Sequence, residues 1–269
     1  MIEGMFNTVF GVDLVTDIRN TIVGNNLFKN ADYAEVTSIV GTIYNLIQTA
    51  ALLLMFIYFL IAIVDKVSSE HFTADMALRQ FCMFIASFFL INHGMTILIA
   101  LSDFGMAMLG SISGELQNLS VETAELYKNF LEDTELTGVD IIDNIARLGY
   151  LLLPWAFSWL LGLCVKIIIY TRVIEIFLRA AFAPIAFSDF FQHGFQGAGW
   201  RHLKSFLAVS IQGAIIYVIG VIFSNLSGVI FQPGADWLEA MGMYFAFLAA
   251  AVMLMFRSVS LAREFVGAN

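Results

Sequence analysis

Apolar positions run almost unbroken through five stretches: about Val36 to Val64, Leu78 to Leu109, Leu148 to Lys166, Leu203 to Leu226 and Trp237 to Val259. Each is close to or beyond the roughly 20 residues a helix needs to cross about 30 Å of hydrocarbon. The pattern predicts an all-α polytopic membrane protein with five transmembrane helices. Ahead of them, Met5, Phe6, Val9, Phe10, Leu14, Ile18 and Ile22 recur at spacings of three and four, with Asp13, Asp17 and Arg19 between. That period predicts an amphipathic helix, lying in the membrane interface or against protein.

The polar stretches divide the chain further. Residues 1–35 form the amphipathic segment, and 36–110 hold the first two spans around a short connector, DKVSSEHFTAD. Residues 111–147 are an acidic loop with eight acids against Lys128 and Arg147, Glu132, Asp133 and Glu135 among them. Its apolar spacings predict two short helices, one through Leu126 to Leu131 and one through Val139, Ile142 and Ile145. Residues 148–204 carry the third span, a charged helical extension and an aromatic, glycine-rich turn. Residues 205–269 carry the last two spans, joined through SNLSGVIFQPGAD, and a short tail.

The extension is the most unusual stretch. At 1.5 Å per residue, Lys166 lies about 27 Å along the third span, and Arg172, Glu175 and Arg179 about 36 to 47 Å along it. Those last three share one helical face. Their neighbours are too apolar for a solvated helix, so the extension is expected to pack against protein at one mouth of the bundle. Pro184 disfavours helix at Ala183 and predicts the break. The turn FFQHGFQGAGW follows, its aromatics suited to the headgroup layer, and the chain re-enters an apolar run at Leu203. Within the spans, Asn45, Gln48, Asn92 and His93 are polar. They are expected to make contacts between helices, with His93 hydrogen-bonded there. A proton-relay role for His93 is the sharper alternative.

Composition adds exclusions. The chain is 59% hydrophobic and 13% charged, with a mean hydropathy of +0.83, against about 25% charged in ordinary soluble domains. The first residues lack the basic lead and clean apolar core of a cleavable signal. Cys82 and Cys164 sit far apart inside apolar runs, which predicts neither a disulfide framework nor a metal site. No GxxxxGK[ST], HExxH or GxSxG pattern occurs, so no catalytic residue, metal or cofactor is expected.

Placing residues 65–79, 166–204 and the C-terminal tail on one side gives it nine of the thirteen Lys and Arg residues. The positive-inside bias makes that side cytoplasmic, with the N-terminus outside and the C-terminus inside. The sparse basic inner face predicts at most weak or transient nucleic-acid contact.

The run RVIEIFLRAAFAPIA (172–186), with LKSFLAVSIQG (203–213), resembles the VirB6/TrbL-type subunits of type IV secretion systems, closest to the versions of Gram-positive conjugative elements. The matching positions are Arg172, Glu175, Ala183, Pro184, Lys204, Ser205, Gln212 and Gly213. The resemblance implies a non-enzymatic subunit of a DNA-transfer machine in the bacterial plasma (inner) membrane. It implies a homo-oligomer surrounded by lipid and working with a VirB8-like partner, a VirB4-like ATPase and a coupling protein. A secondary transporter or small-solute channel, using Asn92, His93, Lys166 or Glu175, is the alternative. It would ordinarily show internal repeats, and none is evident.

Overall fold

The computed structural model describes residues 27–67, 73–116, 140–230 and 237–268, and every regular element among them is helical. A 3₁₀ turn, Ala31–Tyr33, leads into α1 (Ala34–Val67), and the Asn30 side chain caps that turn by accepting from the Asp32 amide. Then come α2 (Ala74–Leu116), α3 (Asp140–Ser188), the single turn α4 (Phe190–His193), α5 (Ala198–Ile230) and α6 (Trp237–Val266). Among the described residues, four stretches are long and apolar enough to cross a membrane: Ala31–Asp65, Ala74–Glu115, Ala198–Phe223 and Gly242–Val266. Helices are the natural answer to such sequences, since a helix pairs its own backbone where lipid offers no partner.

The helices run further than the sequence predicts. The short helix expected around Val139, Ile142 and Ile145 is the beginning of α3, because the lone Gly149 does not stop a helix that otherwise continues into an apolar run. The helix expected at Leu126 to Leu131, the acids Glu132, Asp133 and Glu135 and the amphipathic N-terminal pattern lie outside the described residues. The pattern ends the fourth span near Leu226, within SNLSGVIFQPGAD, yet α5 continues to Ile230. Asn225 satisfies its amide on its own helix, donating to the Val221 carbonyl at 2.9 Å.

Pro184 is a second correction. α3 passes through it and ends only at Ser188. A proline removes one ladder bond and tends to kink, but the surrounding Ala180, Ala181, Ala183 and Phe187 are buried and hold the next turn in place. The break falls at Asp189, whose carboxylate accepts from the first amide of α5, that of Ala198, at 2.6 Å, and contacts His193 Nδ1 at 2.9 Å. Gly194, at φ +54°, makes the left-handed step of the bend. The turn's aromatics divide: Phe190 and Phe191 are packed inside, and Phe195 is exposed.

The chain separates into two compact units. The first comprises the described parts of Asn26–Met106, Arg172–Ile211 and Ser260–Asn269. In it, Phe177 packs on Phe28 and Tyr33, Phe187 meets Gly94 beside the Tyr44 hydroxyl, and Phe191 meets Phe59 and Phe84. The later half of α3 therefore runs parallel to α1. It folds back through α4 and α5 as a hairpin along α1 and α2. Gly94 permits that approach, since a Cβ there would sit 2.5 Å from both the Phe187 ring and the Tyr44 oxygen.

The second unit comprises the described parts of Ala107–Thr171 and Gln212–Val259. Phe157 stacks near Phe245, and Phe223 near Tyr244. Buried Gln212 donates to Ser258 Oγ at 2.9 Å.

Candidate functional site

The polar chemistry of the first unit collects where the later half of α3 meets α5 and the end of α6. Arg172 is 2% exposed. Its Nε donates to the Val209 carbonyl and its Nη2 to the Ser210 carbonyl, each at 3.0 Å. Those oxygens belong to the middle of α5 and keep a second lone pair beyond the helix ladder. A rigid fork that reaches two successive carbonyls suits that geometry. Gly105 of α2 lies against the same Ser210 carbonyl, so three helices converge on one peptide group.

One helical turn further along α3, Glu175 and Arg179 pair. Arg179 gives both Nε and Nη2 to one oxygen of Glu175 and its Nη1 to Ser205 Oγ, while its backbone carbonyl meets His202 Nε2 at 3.0 Å. Arg263 of α6 approaches the same Glu175 oxygen at 3.8 Å. Lys204 donates to the Gly267 carbonyl at 3.0 Å, just past the end of α6. That end closes with Gly267 at φ +63°, its amide on Glu264 and the Ala268 amide on Arg263. The Lys204 ammonium thus sits where helix carbonyls concentrate negative charge.

The other sequence-selected residues fall as follows. Lys166 is exposed and belongs to the second unit, as do Gln212 and Gly213, both buried in α5. Gln48 and Asn92 join α1 to α2 through a 3.0 Å bond, and Asn92 also donates to the Phe88 carbonyl. Asn45 is exposed, one position off the packed stripe of Val40, Tyr44, Ala51 and Met55. His93 does not take the expected hydrogen-bonded place between helices. It lies off the packed stripe of Ile91, Gly94 and Leu98, exposed, with its ring 4.5 Å from Phe89. Gly105 packs against Ser210, whereas a Cβ at Gly110 or Gly162 would meet nothing within 4 Å.

Sequence reasoning did not select His202, Arg263, Asp189 or the 2.6 Å pair of Lys29 with Asp103. Asp189 carried no local signal, since its bond to the Ala198 amide spans nine residues and it makes no side-chain cap on the turn it precedes. Among the described residues no group of three or more His, Cys, Asp or Glu converges as a metal would require. The arrangement ties the later half of α3 to α5, and both to the end of α6, by charge-assisted bonds among otherwise apolar helices.

The sequence model of the TrbL/VirB6 plasmid conjugal transfer-like proteins matches residues 15–184, more than half of the chain. The chain belongs to that family. This TrbL/VirB6-like chain is accordingly a multi-pass membrane protein of the conjugative, type IV secretion class. No curated protein and no solved structure matches it. The family match takes in Arg172, Glu175 and Arg179 and ends at Pro184. Lys204, Gln212 and Gly213, from which part of the resemblance was read, lie beyond it. The TrbL/VirB6 family is a structural component of transfer systems.

Proposed function

We propose that the chain is a non-enzymatic channel or scaffold subunit that oligomerises in the plasma membrane and helps a conjugative substrate cross it. The observation that carries this is the family match over residues 15–184. It is supported by a charged elbow whose groups bind one another across helices. On this reading the chain has five spans, α3 supplying the fifth, and works with a VirB8-like subunit, a VirB4-like ATPase and a coupling protein. It contacts nucleic acid only weakly, and its nearest counterparts are those of Gram-positive elements. An in-frame deletion in the element that encodes it is expected to abolish mating transfer, and a copy supplied in trans to restore it. Undiminished transfer by the deletion strain would remove the proposal.

The charge bias favours a path with the N-terminus outside and the C-terminus in the cytoplasm, Glu132 being external and Lys204, Arg172, Glu175 and Arg179 at the inner mouth. A second reading has a specific observation behind it. Phe177 packs on Tyr33 at the start of α1, while Glu175, two residues away, meets Arg263 at the end of α6. Those two ends therefore share one level of the first unit, and residues 172–211 would be a hairpin dipping along α1 and α2. Single cysteines at Glu132, Lys204, Asn30 and Gly267, in a background lacking Cys82 and Cys164, separate the readings. Under the charge-bias path an impermeant thiol reagent on intact cells labels Glu132→Cys and Asn30→Cys only. Matching behaviour of Asn30→Cys and Gly267→Cys selects the dipping hairpin.

A further inference from the structure

We infer that the cationic cluster at the end of α6 binds the phosphate of an anionic phospholipid headgroup. Arg179 and Arg263 share a single carboxylate there, Glu175, and Lys204 reaches the end of α6 at the Gly267 carbonyl. Glu264, the other acid on that turn, is exposed. Arg179 occupies the Glu175 oxygen through two donors, and Arg263 stops 3.8 Å short of it. The Nε of Arg263 is shielded from water and has no hydrogen-bond partner among the described residues. The Arg263 side chain as a whole is 40% exposed, within reach of an acceptor oxygen from outside. Lys204 reaches the same turn of α6 and holds donors beyond the one given to Gly267.

The ligand class follows from what surrounds these donors. The end of a helix needs water or headgroups for its last carbonyls, and α6 ends within a turn of Arg263. Phe265 is 76% exposed, and Ile174 and Leu178, one position round α3 from Glu175 and Arg179, are 58% and 55% exposed. A phosphodiester offers oxygens to an arginine fork and a lysine, and its acyl chains would cover that apolar surface. Basic pockets between membrane helices bind anionic headgroups in this way. Free phosphate shares the oxygens but has no use for exposed leucine and phenylalanine.

The test uses the full-length chain in nanodiscs of phosphatidylglycerol and phosphatidylcholine, with retained lipid quantified after gentle detergent extraction. The wild type is expected to retain phosphatidylglycerol several-fold above its input share. The Arg263→Gln/Lys204→Gln variant should lose that enrichment, and excess inorganic phosphate should not displace the lipid from the wild type. Equal enrichment in wild type and double variant overturns the inference. So does phosphate capture without lipid enrichment, which would leave only a free-anion site. A photoactivatable phosphatidylglycerol analogue gives a readout on the wild type alone: crosslinks should map to the last turn of α6, and their absence there also overturns it.

Discussion

Arg172→Glu is expected to prevent the chain from accumulating in folded form, whereas Arg172→Lys leaves it folded but weakened by about 1–2 kcal/mol. Arginine at this position gives one donor each to the carbonyls of Val209 and Ser210 from a site that is 2% exposed. Glutamate removes both donors and turns an acceptor toward two acceptors. The carboxylate must then be buried unpaired or protonated, and a lost partner at a buried charge costs about 3–5 kcal/mol. Lysine keeps the charge but is a point donor, unable to span two carbonyls as a fork does. The measurement is recovery of monodisperse protein from membranes, followed by thermal unfolding in detergent. A glutamate variant that matches wild type in both would show that the guanidinium contacts contribute nothing to folding.

Gly105→Val should be nearly as damaging, and Gly110→Ala close to neutral, although the two glycines lie within two turns of each other on α2. A Cβ at position 105 would overlap the Ser210 carbonyl group, so α2 or α5 must move. Overpacking of this kind typically costs about 1–3 kcal/mol. Here the obstacle is backbone, and the displaced carbonyl is also the one Arg172 holds, so the loss should exceed about 3 kcal/mol. At position 110 a Cβ meets nothing within 4 Å, and alanine gains up to about 1 kcal/mol of helix propensity over glycine. Because Gly105 and Arg172 act on one peptide group, Gly105→Ala combined with Arg172→Lys should depart from additivity by about 0.5 kcal/mol or more. Equal yields and melting temperatures for Gly105→Val and Gly110→Ala would contradict the packing assigned to Ser210.

These two sites also show what could be read from the sequence and what could not. The apolar runs gave the long helices directly, because a stretch such as ALLLMFIYFLIAIV leaves lipid-buried backbone no alternative to helix. The ends were harder. Asn225 and Pro184 both read as interruptions, but a side-chain bond to Val221 in one case and buried neighbours in the other carry the helix onward. The pairing of Glu175 with Arg179 was legible from a spacing of four. Arg172 was grouped with them by the same spacing argument, yet it turns to the carbonyls of α5. Backbone oxygens have no letter in a sequence, so that partner was invisible. Arg263 was invisible for another reason: it joins Glu175 only through the fold. His93 drew notice as an ionisable group in an apolar run, but its position relative to the packed stripe of α2 decided its surroundings.

The bend at Asp189 has a consequence for biogenesis. Its two partners, His193 and the amide of Ala198, are local in sequence, so nothing made later by the ribosome is needed to set it. The turn itself can form once residue 198 emerges, and the elbow once α5 has followed it. The pair can then enter the bilayer as a preformed unit, before the last helix has been synthesised.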